Sequence, residues 1–111
     1  MKKLTFDKFR KANLKRCEKH FHKLEEWSLT DWGCAVAGEV GEACNICKKI
    51  KRGDFPTSPE LIMAQQLLGK EIADAVTYLD LLAARAGLSL DEILIQKFNE
   101  VSDRVKSKIK L

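Results

Sequence analysis

The chain is expected to fold as an all-α protein, a four-helix bundle with short loops, and three observations carry that expectation. Only two prolines and six glycines interrupt 111 residues in which Ala, Leu, Lys, Glu and Ile are abundant, a composition that favours helix. No segment alternates apolar and polar residues between turn residues, so no strand is expected. Helix start and stop signals instead recur with little chain between them. The length suits one domain over residues 1–111. With 45% hydrophobic and 32% charged residues, the composition is that of a globular rather than a disordered chain.

The first helix is expected to be capped by Thr5 and to run to about Glu25, with Phe6, Phe9, Leu14, Cys17, Phe21 and Leu24 as an imperfect apolar stripe. Ser28-Leu29-Thr30-Asp31 resembles a capping box and opens the second. That helix carries Lys48, Lys49, Lys51 and Arg52 in its last turns, where cations suit the helix dipole, and Gly53 stops it. After the loop Asp54-Phe55-Pro56-Thr57, Ser58 and Pro59 read as N-cap and first helical residue. The third helix should reach about Ala86, ~42 Å if unbroken, with Gly69 a candidate bend and Gly87 the terminator. Ser89-Leu90-Asp91-Glu92 is a second capping-box pattern and opens a fourth helix to about Lys108. Leu61, Ile62, Leu67, Leu68, Leu81 and Leu82 give more apolar face than one bundle seam covers. A homo-oligomer with its site near the subunit interface is therefore expected.

Two acidic pairs stand inside apolar helical sequence. Glu39-Val40-Gly41-Glu42 lies between Ala35-Val36-Ala37-Gly38 and Ala43-Cys44-Asn45-Ile46; Glu71-Ile72-Ala73-Asp74 precedes Ala75-Val76-Thr77-Tyr78-Leu79. Residues three apart share a helix face, so each pair aims two carboxylates in one direction. The apolar surroundings suggest a mostly buried helix, and carboxylates are rarely buried without positive partners. No basic residue lies within the first apolar segment, whereas Lys70 flanks the second pair. A hard divalent cation with oxygen ligands would relieve the repulsion, which proposes a Mg²⁺ site between two helices, with Mn²⁺ as a substitute.

Other chemistry is less supported. Cys44 and Cys47 form a CxxC, but Cys17, Cys34, His20 and His22 complete no zinc spacing, so small packing residues on a helix are the expectation for these thiols and surface positions for the histidines. The net charge is +4, with basic clusters at 8–23, 48–52 and 104–110. A basic rim about an acidic centre suits a polyanion that arrives with a metal ion. No GxxxxGK[ST] loop and no Ser/His/Asp or Cys/His arrangement is present. No apolar run is long enough to span a bilayer, and the N-terminus shows no signal-peptide pattern, which makes a cytoplasmic location the expectation.

Trp32 to Ile50, with its Ala-Gly-Glu-Val-Gly-Glu-Ala and Asn45-Ile46-Cys47-Lys48-Lys49, resembles the first motif of the MazG-like all-α nucleoside triphosphate pyrophosphohydrolases. Lys70 to Leu79 resembles their second, and Lys97 to Arg104 their C-terminal Lys/Asn/Arg element. The likeness covers about residues 27–105; the 28 residues between Glu42 and Glu71 make a long spacer, and the segment 56–68 and the N-terminal helix match poorly. The resemblance implies a Mg²⁺-dependent enzyme that splits an NTP or dNTP into monophosphate and pyrophosphate, in nucleotide-pool house-cleaning, as a dimer or tetramer. It implies Glu39, Glu42, Glu71 and Asp74 as metal ligands, with one glutamate also serving the attacking water. Candidate substrate contacts are Lys97, Asn99, Arg104, Lys48 and Lys49 for phosphate or sugar, and Tyr78, Trp27 and Trp32 for the base. The rival reading is a catalytically silent, basic helical nucleic-acid-binding or regulatory module. The acidic pairs would repel phosphate without metal, so a nucleic-acid partner is the weaker expectation.

Overall fold

The computed structural model describes residues 2–111. They form four α-helices, α1 (Phe6–His20), α2 (Leu29–Arg52), α3 (Ser58–Arg85) and α4 (Leu90–Arg104), with a 3-10 turn at Leu24–Glu26 and no strand among them. Among the described residues, no helix is long and apolar enough to cross a membrane.

The caps explain most of the boundaries. Thr5 Oγ1 accepts from the Lys8 amide at 3.1 Å. Ser28 and Asp31 make a reciprocal capping box, with the Asp31 amide donating to Ser28 Oγ and the Ser28 amide to Asp31 Oδ2. That pairing holds the Asp31 carboxyl below its ordinary range. Gly53 closes α2 in the left-handed conformation, φ 86°, which a side chain would resist. Thr57, not Ser58, caps α3, accepting from the Glu60 amide, so Pro59 falls one residue further into the first turn. At α4 the second capping box does not form: Ser89 makes no side-chain cap, and the Glu92 amide donates to Asp91 Oδ1 instead.

α2 and α3, joined by a short turn, pack along each other as the main hairpin, and α1 lies against α3. α3 runs unbroken through Gly69. Where α1 meets the hairpin, Cys17, Trp32 and Leu81 form the core, with Leu14, Leu24, Trp27, Tyr78 and Leu82 against them. The Trp32 indole donates to Leu24 O at 3.1 Å, and Arg85 Nε donates to Trp27 O at 2.9 Å, tying the 3-10 segment to α2 and α3. Leu81 and Leu82 thus belong to the chain's own core, which removes them from the apolar face expected to be left over, while Ile62 and Leu67 remain exposed.

α2 departs from its sequence reading. Trp32 is its one buried residue, and Val40, Cys34, Cys44 and Cys47 are exposed rather than packed. α4 scarcely packs on the other helices. The chain is accordingly open: its radius of gyration is 17.0 Å, against ~13 Å for a compact domain of this length.

Candidate functional site

The helix register delivers the carboxylates as the spacing requires. Glu39 and Glu42 lie one turn apart on α2, and Glu71 meets them from α3, so that one oxygen from each falls within 4.8 Å of the others. Glu39 Oε2 and Glu71 Oε2 are enclosed and lack any hydrogen-bond partner. Such atoms normally find a partner, since an unmet polar group sheltered from water is costly. Glu42 binds its proton more tightly than an ordinary glutamate, first through a shared hydrogen bond with Glu71 and then through repulsion by that carboxylate. The Glu71 carboxyl is raised as well, chiefly by the closeness of the Glu39 carboxyl, and both shifts include a contribution from the charge of Asp74. Asp74 stands one turn beyond Glu71, outside the tight group of three.

Beside the carboxylates opens a cavity of about 300 Å³ between α1, α2 and α3. Glu39 and Asp74 border it, so acidic cluster and cavity are continuous. Its walls are aromatic. The His22 ring lies 4.5 Å from Trp27 and 5.4 Å from Trp32, the two indoles are 4.5 Å apart, and Tyr78 is 6.2 Å from Trp32. His22 Nδ1 donates to Lys23 O at 2.9 Å, because a carbonyl only accepts. Trp27, Trp32 and Tyr78 therefore share one cavity, and Tyr78 lines it while also packing on the core.

The remaining expected contacts are not brought to this place within one chain. Lys48 and Lys49 lie in the last turns of α2 and do not border the cavity. On α4, Lys97 pairs with Glu100 at 3.3 Å, and the Asn99 amide grips the Leu111 backbone in both directions at 3.1 and 2.9 Å. Arg104 is exposed in the final turn.

Three cavity residues escaped the sequence reading. His22, expected at the surface, is half-buried against the tryptophans, because α1 ends at His20 and the Cys17 carbonyl accepts from both the Phe21 and His22 amides as the chain turns inward. Asn13 and Arg16 line the cavity from α1. Asn13 had a legible signal: it is a polar residue on the apolar stripe, four residues before Cys17 and four after Phe9. No family model matches the chain, and no curated protein or solved structure matches it.

Proposed function

We propose that the chain is a Mg²⁺-dependent hydrolase of the MazG-like type that converts an NTP or dNTP to the monophosphate and pyrophosphate. One observation carries this reading: enclosed, unpaired carboxylate oxygens on Glu39 and Glu71 adjoin an aromatic-walled cavity that Glu39 and Asp74 also border. Aromatic walls suit a planar base, and clustered carboxylates accept a polyphosphate only with a hard cation between them. Glu39, Glu42 and Glu71, with Asp74 toward the cavity, would hold Mg²⁺ or Mn²⁺; the donors are all oxygens, and two of them lack any other partner. When bound, such an ion neutralises charge developing on the phosphate oxygens.

The chain's own residues supply the rest. The α2–α3 hairpin fixes the carboxylates before substrate arrives, so little reorganisation is needed during reaction. One glutamate orients the attacking water and takes its proton. Trp27 and Tyr78 seat the base and exclude water from it, with the buried Trp32 packed behind them. The reading includes a homo-oligomer, because α4 stands away from its own site and Lys97 and Arg104 meet phosphates only when a second copy carries them over. With Mg²⁺, the protein should release pyrophosphate from at least one nucleoside triphosphate. Glu39→Gln or Asp74→Asn should lower kcat by at least ~100-fold. Release of orthophosphate and a diphosphate, or full activity in both variants, refutes the assignment.

A further inference from the structure

Asn13 is 3% exposed, and both its amide hydrogens are engaged. Nδ2 donates to Thr77 O at 3.0 Å and to Asp80 Oδ2 at 3.1 Å. Asp80 is itself wholly buried and is held from the other side by Arg10, whose Nε donates to Oδ1 at 2.8 Å. Arg10 is anchored in turn by donating from Nη2 to Leu88 O at 2.9 Å.

This relay fixes which way the Asn13 amide faces. Turned over, Oδ1 would confront the Thr77 carbonyl and the Asp80 carboxylate, two acceptors with no donor between them. Asn13 Oδ1 accepts no hydrogen bond among the described residues, yet it is not one of the enclosed unpaired oxygens. Oδ1 is thus the one polar atom of this side chain left without a partner, on a residue that lines the cavity. The cavity wall presents a recessed acceptor that cannot become a donor.

We infer that Asn13 Oδ1 reads the edge of the bound base and selects one bearing an exocyclic amino group, with Asp80 as the positioning residue that holds the amide in register. This rests on the nucleotide reading of the site above. An exocyclic amine projects beyond the ring and reaches a recessed acceptor. A carbonyl at the same position meets it lone pair to lone pair, and a site built for one hydrogen bond strongly rejects the ligand that leaves it unmet.

The test separates binding from hydrolysis. Non-hydrolysable α,β-imido triphosphates of cytidine, uridine, adenosine and inosine are titrated into the full chain with Mg²⁺ by calorimetry, giving two pairs matched except for amino against oxo. Pyrophosphate release from the ordinary triphosphates is measured in parallel. The amino member of at least one pair should bind at least ~10-fold more tightly than its oxo counterpart. Asn13→Ala should bring that ratio below about 3. Asp80→Asn, nearly isosteric, turns one of the two acceptors that hold the amide into a group able to donate to Oδ1 and leaves only the Thr77 carbonyl against the flip, so it should lower the ratio, though less than Asn13→Ala, while helical circular dichroism persists. Equal binding of amino and oxo members, a ratio unchanged in both variants, or binding of none of the four overturns the inference; pyrophosphate release in any of those cases leaves the hydrolase reading standing. Selective binding without pyrophosphate release sustains the inference and refutes hydrolysis.

Discussion

Replacing Val76 and Leu79 together by glutamate should convert an oligomer to a monomer. With Ile72 these residues form a stripe along α3, and they are 52, 38 and 41% exposed for Ile72, Val76 and Leu79. The chain's accessible surface is 8480 Å², whereas a compact monomer of 12.6 kDa would show ~6,200 Å². The excess of roughly 2,300 Å² is nearly three times the ~800 Å² that each partner buries in a standard interface, and it falls in the range of obligate assemblies. A carboxylate forced unpaired into such a seam costs on the order of 3 kcal/mol, about two decades in Kd for each substitution. Light scattering after size exclusion at micromolar concentration reads the result. The unmodified protein should show a whole multiple of 12.6 kDa, and the doubly substituted one the monomer mass with a lower melting temperature. A monomeric mass for the unmodified chain would refute the oligomer, and an unchanged mass in the variant would refute this stripe as its seam.

Glu42 and Glu71 are raised above the ordinary glutamate value of 4.5, so the folded state binds protons that the unfolded state releases. Stability is then full below 4.5 and lost as pH rises through the raised values, opposite to the usual acid loss. The metal-free melting temperature should fall as pH rises above the ordinary glutamate value and recover with Mg²⁺ at neutral pH; a flat profile that ignores Mg²⁺ would count against the cluster as a cation site. Tyr78→Ala removes a cavity wall and should raise KM by about 5- to 150-fold, the scale of ~1–3 kcal/mol for a lost base stack. An unchanged KM with a large fall in melting temperature would return Tyr78 to a packing role alone. Arg10→Met strands the Asp80 carboxylate, whose side chain is 1% exposed, and should cost ~3–5 kcal/mol in urea unfolding. The double variant Arg10→Met, Asp80→Leu should recover most of that loss, and failure to do so would show that the pair is not the source.

Local chemistry made the helices legible. The Ser28 box, Gly53 and Gly87 mark boundaries that the backbone obeys, because caps act within one turn. Gly69 did not break α3, since one helical glycine costs only ~1 kcal/mol and the flanking turns pack on α2. The carboxylates were legible because a three-residue spacing fixes a face, and Glu71 arrives opposite Glu39 and Glu42 once α2 and α3 pair. What covers the apolar face of α2 was not legible: periodicity marks a face that avoids water without saying whose atoms cover it. His22 was hidden for another reason. Its placement depends on where α1 unwinds, and the turn over the Cys17 carbonyl involves no distinctive residue type.

The same hairpin carries both the acidic cluster and the exposed stripe of Ile72, Val76 and Leu79. On the proposed reading, this couples two equilibria. Repulsion among Glu39, Glu42 and Glu71 pushes α2 away from α3, and a cation that quiets it stiffens the surface another copy must meet. Linkage makes the effect mutual: if ion binding tightens association by some factor, association tightens ion binding by the same factor. Half-saturation by Mg²⁺ would then move with protein concentration, and the surrounding ion level would set how much of the chain stands assembled as well as how fast it turns over.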